Sequence, residues 1–142
     1  MSHLTTNSKA NIVSKEAFMA ACKELGYTKI TENTTIKAYD GKTMKVDVAV
    51  KNSKGEIGLV KNATGKYDLV GDFQCFGWEL SGAIREAMQT KETYVSDEEI
   101  QNCILRYTTK HTLVSKYNKL GYNCKTTTDK TGALQVVMTK LF

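Results

Sequence analysis

The chain has no proline, two arginines, two histidines, one tryptophan and no long apolar run among its 142 residues. Each scarcity excludes something. No stretch reaches the roughly 18 apolar residues that a membrane-spanning helix needs. The start Met1-Ser2-His3-Leu4-Thr5-Thr6-Asn7 lacks the basic flank and apolar run of a signal peptide. The four cysteines, Cys22, Cys75, Cys103 and Cys124, lie far apart, with no Cys-x-x-Cys pair and no clustered histidines, so no zinc site is expected. Cys22 and Cys103 fall within amphipathic helical patterns and read as small buried hydrophobes, which points to a reducing, cytoplasmic compartment. There is no Gly-x-Gly-x-x-Gly, no Walker loop, no Gly-x-Ser-x-Gly elbow and no cysteine beside a histidine. No catalytic residue, metal or cofactor is assigned.

What is present is an ordinary globular composition. Hydrophobic residues are 41% and charged residues 25%, and the length suits a single domain over residues 1–142. The formal charge of +5 raises the alternative of a nucleic-acid binder. Against it, Arg85 and Arg106 are the only residues able to make bidentate phosphate or base contacts as arginines do, and the lysines are scattered. A lysine-rich, proline-free chain with many Asn and Thr also fits an AT-rich genome.

Ser14 reads as an N-cap for a helix over Lys15 to Leu25, with Phe18, Ala21, Cys22 and Leu25 on one face and Gly26 ending it. The first ten residues read as a loose arm, with a short edge strand at Ala10 to Val13. Four strands then form a meander: Thr34 to Tyr39, Met44 to Val50, Glu56 to Lys61 and Lys66 to Gly71, separated by turns at Asp40-Gly41, Asn52 to Gly55 and Asn62 to Gly65. Alternation predicts Met44, Val46, Val48 and Val50 on one core face. Helical spacing resumes through Leu80, Ile84, Ala87 and Met88. Ser96-Asp97-Glu98-Glu99 is a capping box opening a helix that carries Ile100, Cys103, Ile104, Tyr107, His111, Val114 and Tyr117 and stops at Gly121. Two last strands, Tyr122 to Thr127 and Ala133 to Leu141, flank a turn at residues 129–132. The fold class is α+β: a mainly antiparallel sheet of about six to seven strands with two to three helices packed on one face.

Leu25-Gly26-Tyr27 recurs as Leu120-Gly121-Tyr122, each closing an amphipathic helix before a strand. The plain reading is one helix-end solution used twice. The sharper one is a duplicated α–β unit whose helices share one sheet.

The segment Asp72 to Trp78 changes from alternating to irregular and concentrates Phe73, Gln74, Phe76 and Trp78 beside Asp72. Aromatics next to a few polar groups make ligand pockets and interfaces, and they also plug cores. His111 shares a helix face with Tyr107, one turn away, and reads either as a hydrogen-bonded core residue or as an acid–base group.

Several features in order resemble one family: Met1-Ser2-His3, the helix end Leu25-Gly26-Tyr27, the hairpin Lys37 to Gly41, the run Tyr67-Asp68-Leu69-Val70-Gly71-Asp72-Phe73-Gln74, and Arg106-Tyr107 with His111-Thr112-Leu113 before Gly121-Tyr122. This is the domain-of-unknown-function family that contains the hypothetical chloroplast reading frame thirty-five protein of algal plastids and cyanobacteria, with bacterial and phage relatives. The resemblance implies a small α+β protein, a stroma or host-cytoplasm setting if the gene is plastid or phage, and a shared site at His3, Asp72-Phe73-Gln74 and His111. The chain departs from the family by an extended stretch, Gly82 to Val95.

The reading is a non-enzymatic module binding a protein or small ligand through His3, Asp72, Phe73, Gln74, Phe76, Trp78, Tyr107 and His111, for a phage protein a host component, with no membrane role. The alternatives are a nucleic-acid binder and an enzyme using His111 as acid or base.

Overall fold

A computed structural model describes residues 4–89, 95–128 and 133–140. Seven strands and four helices follow in the order β1 (Thr5–Ile12), α1 (Lys15–Glu24), β2 (Lys29–Lys37), β3 (Thr43–Lys51), β4 (Glu56–Lys61), β5 (Tyr67–Gly71), α2 (Phe73–Phe76), α3 (Gly82–Met88), α4 (Asp97–Lys119), β6 (Tyr122–Thr128) and β7 (Leu134–Lys140). A single 3-10 turn, Gly77–Glu79, joins α2 to α3. All strand pairs are antiparallel, in a five-stranded sheet of order β1-β5-β4-β3-β2 and a separate hairpin β6-β7. The fold is α+β, with the meander β2 to β5 as its centre. Among the described residues no helix is long and apolar enough to cross a membrane.

Local chemistry sets most boundaries. Ser14 accepts from Ala17 N at 3.1 Å to start α1, and Ser96 accepts from Glu99 N at 3.2 Å to start α4, with acid filling its first turn. Both helices end in a glycine of positive φ, 91° at Gly26 and 88° at Gly121, where an L side chain would be strained. The two ends then diverge. Leu25 is buried in the main core, whereas Leu120 is 59% exposed, and β6 pairs only with β7 instead of joining the large sheet. The duplicated unit on a shared sheet is therefore not what forms. The repeated tripeptide is a helix stop used twice.

The main core lies between one face of the sheet and the helices. Phe18, Cys22 and Leu25 from α1 and its end meet Ile100, Cys103 and Ile104 of α4 over Val48, Val50, Ile57, Leu59 and Leu69. The predicted single face on β3 is corrected here. Met44 and Val46 belong to a second cluster with Ile36, Ala49 and Val70, on the other side of the sheet from Val48 and Val50. The switch falls where Asn33 adopts φ 51°, between the pairs Glu32–Val48 and Thr34–Val46. Beyond that point the β2–β3 hairpin curls over the second face. Its tip is pinned there by Lys37 N to Glu56 Oε1 at 2.8 Å and Tyr39 N to Asp72 Oδ2 at 2.9 Å.

β1 begins at Thr5, so the expected loose arm is a paired strand over its described part. Likewise β2 starts at Lys29, earlier than the predicted Thr34, because its first half is an edge with little apolar pattern. The predicted final turn at 129–132 and Leu141 lie outside the described residues.

Candidate functional site

The aromatic corner divides into core and surface. Asp72 is fully buried and caps α2, its carboxylate accepting from Cys75 N at 3.1 Å and from Tyr39 N at 2.9 Å. Phe73 and Phe76 are buried in the main core, and the Phe76 ring centroid stands 4.8 Å from that of Tyr27. Gln74 and Trp78 face outward; Trp78 meets the exposed Tyr39 edge to face at 6.1 Å. Asn52, read from sequence only as a turn residue, anchors this corner. Its Nδ2 donates to Phe76 O at 2.9 Å and Glu79 O at 2.8 Å, while its Oδ1 accepts from Lys54 N and Gly55 N. Four bonds from one amide lock the β3–β4 turn to the end of α2.

Tyr107 and His111 lie elsewhere. The corner backs onto the start of α4, where a Cβ at Gly77 would meet Ile100. His111 is eleven residues further on, about 16 Å along the axis at roughly 1.5 Å per residue. It bonds instead to α1: His111 Nε2 and Glu24 Oε1 are 2.7 Å apart. The same carboxylate receives Lys110 Nζ at 2.5 and 2.6 Å, and that ammonium sits 4.6 Å from the centroid of the Tyr107 ring. Lys110 is buried, so the pair is a clasp between α1 and α4, the kind of paired charge a buried lysine requires. Thus Asp72, Phe73, Gln74, Phe76 and Trp78 form one locus and Tyr107 with His111 another, and His3 lies outside the described residues.

Burial pushes the Glu24 carboxyl up, but the hydrogen bonds and charges of Lys110 and His111 outweigh it and hold it below its usual value of 4.5. A depressed carboxyl contributes stability that is present above the unfolded value and lost as pH falls through the folded one. The thermal midpoint of the wild type is therefore expected to exceed that of Glu24→Gln near neutral pH, and the gap to narrow as the pH falls from the usual 4.5 through the lower folded value. A pH series of melting curves on both proteins reads this; a gap unchanged in acid would contradict the clasp. For Tyr107, burial raises the phenol above its usual value.

Sequence inspection missed a cleft of about 850 Å³ between α4 and β7. Met88, Leu105, Leu113, Leu134 and Val136 supply its apolar lining. Glu99, Asn102, Arg106, Thr109 and Lys110 supply polar groups along one stripe of α4. That stripe sits beside the core-facing Ile100, Cys103, Ile104 and Thr108, so α4 carries two working faces. The signal was present in Leu105 and Leu113, apolar residues off the main helical stripe, yet nothing local says that β7 returns to face them. Among the described residues no group of three or more His, Cys, Asp or Glu is placed to hold a metal.

The fold and these loci define a small α+β protein with a clasped helix pair and an open cleft between α4 and β7. Residues 21–137 match the model of the family described as protein of unknown function (DUF1257), and the chain belongs to that family. No curated protein and no solved structure matches the chain.

Proposed function

We propose that this protein is a non-enzymatic binding module whose ligand occupies the α4–β7 cleft, and that the ligand is a small, mostly apolar molecule carrying one anionic or hydrogen-bonding group. The observation that carries this is the cleft itself: about 850 Å³, an apolar lining, and a few polar groups converging from one helix. Small-molecule sites have that size and that mixture. Arg106 offers a cationic edge for the polar group, and Leu105, Leu113, Leu134 and Val136 take the apolar body. This moves the binding locus away from the aromatic corner, where Asp72, Phe73 and Phe76 are committed to cap and core.

An acid–base role for His111 draws support from its 2.7 Å contact with Glu24, since a base is often oriented by a carboxylate. Lys110 shares that carboxylate, which favours the ion-pair role instead. The narrower likeness, to the chloroplast reading frame protein and its phage relatives, belongs to this proposal too, as does a reducing compartment, supported by the burial of Cys22 and Cys103 as small hydrophobes in the core.

Thr109 is exposed at the cleft, so Thr109→Trp fills the space without touching the core. A thermal-shift screen of short alkyl carboxylates is expected to stabilise the wild type and Trp78→Ala alike and to leave Thr109→Trp unmoved. Equal stabilisation of Thr109→Trp would exclude the cleft.

A further inference from the structure

Four strand edges are open among the described residues: β1 and β2 bounding the five-stranded sheet, and the outer sides of β6 and β7. Three of them are blunted. β2 is bent at Asn33 with φ 51° and carries Lys29, Glu32 and Lys37. β1 changes register between Asn7 and Ile12, next to Asn11 at φ 49°. β6 has Lys125 at its midpoint, so two copies paired antiparallel about that point would oppose two ammonium groups. Irregular backbone and central charge are the ordinary means of keeping an edge from pairing.

β7 has neither. Leu134-Gln135-Val136-Val137-Met138-Thr139 is uncharged and free of glycine and proline, its pairing with β6 is unbroken from Leu134 to Lys140, and its one charge, Lys140, is terminal. Val137 is 53% exposed and Met138 42% exposed. A two-stranded ribbon is also a small sheet to leave alone.

We propose that the β7 edge pairs antiparallel with β7 of a second copy of this chain, about a two-fold axis at Val137, giving a continuous four-stranded sheet β6-β7-β7-β6. The register is self-complementary. It sets Val137 against Val137, Val136 against Met138, Gln135 against Thr139 and Leu134 against Lys140, with no like charges opposed. The axis stands perpendicular to the joined sheet, so both α4 helices lie on one face and run in opposite directions. This self-complementary, uncharged register is why a second copy is chosen over a foreign strand. This interface uses the free edge of β7 and stands whether or not the cleft holds a ligand.

Sedimentation velocity over a wide concentration series tests it, with circular dichroism as the check on folding. The wild type is expected to be a dimer, and Val137→Lys and Val137→Glu each a monomer, because each opposes like charges at the axis. An equimolar mixture of the two variants is expected to dimerise again. Val137→Cys, nearly isosteric, is expected to join two chains through a short bis-maleimide where the wild type does not, which keeps the test open should the charged variants fail to fold. A monomeric wild type, a dimeric charged variant, a mixture that stays monomeric, or no added cross-linking would each overturn the proposal. Capture of a foreign strand by a monomeric wild type would count as the first of these.

Discussion

Gly55→Ala is expected to lose about 3 to 5 kcal/mol of stability, a large share of the roughly 5 to 15 kcal/mol that holds an ordinary domain folded. A Cβ at Gly55 would lie 2.3 Å from Phe76 N, 2.7 Å from its Cα and 2.8 Å from Cys75 C. All three are backbone atoms of α2, so no rotamer change relieves the overlap. The turn would have to separate from α2, breaking the bonds of Asn52 to Phe76 O and Glu79 O with it. Gly82→Ala is the control: nothing stands within 4 Å of its Cβ, and the residue opens α3. That change is expected to be neutral or to stabilise by up to about 1 kcal/mol. Urea denaturation of the pair measures the contrast, and a folded Gly55→Ala within about 1 kcal/mol of the wild type would refute this account of the corner.

Asp72→Ala is expected to cost about 3 to 4 kcal/mol. It removes the cap of α2 and takes the Asp72 acceptor from two backbone N–H groups, that of Cys75 in a buried place and that of Tyr39 in a part-buried one. Asp72→Asn keeps one acceptor oxygen but turns an amide NH₂ toward the other N–H, so it is expected to recover about half of the loss. Denaturation midpoints with an unchanged slope would show that stability alone has changed. If Asp72 were instead a ligand-contacting group, both variants would keep wild-type stability and lose binding.

These two residues also show where sequence reading ends. Period-two alternation and turn chemistry located β3, β4 and β5 almost to the residue, and the Ser14 and Ser96 caps fixed both long helices, because those signals are local. Asp72 stood out in the sequence, but its partner Tyr39 is 33 residues away, and only the curled hairpin brings them together. The same holds for Asn52, whose amide serves an element 24 to 27 residues later. Alternation in β3 was misread at Val46 because the face changes opposite Asn33, a backbone conformation that the pattern of side chains does not announce. The cleft was the least legible feature. Its α4 wall looks like a solvated stripe until β7 is laid across it, and its lining residues are spread from Met88 to Val136.

The central claim is that ligand enters between α4 and β7 and not at the aromatic corner. Amide chemical-shift mapping during titration with octanoate tests it most directly. The expected result is a cluster of shifts at Asn102, Arg106, Thr109, Leu134 and Val136, with Tyr39, Gln74 and Trp78 unmoved. Shifts centred on Tyr39, Gln74 and Trp78, with α4 and β7 silent, would contradict it.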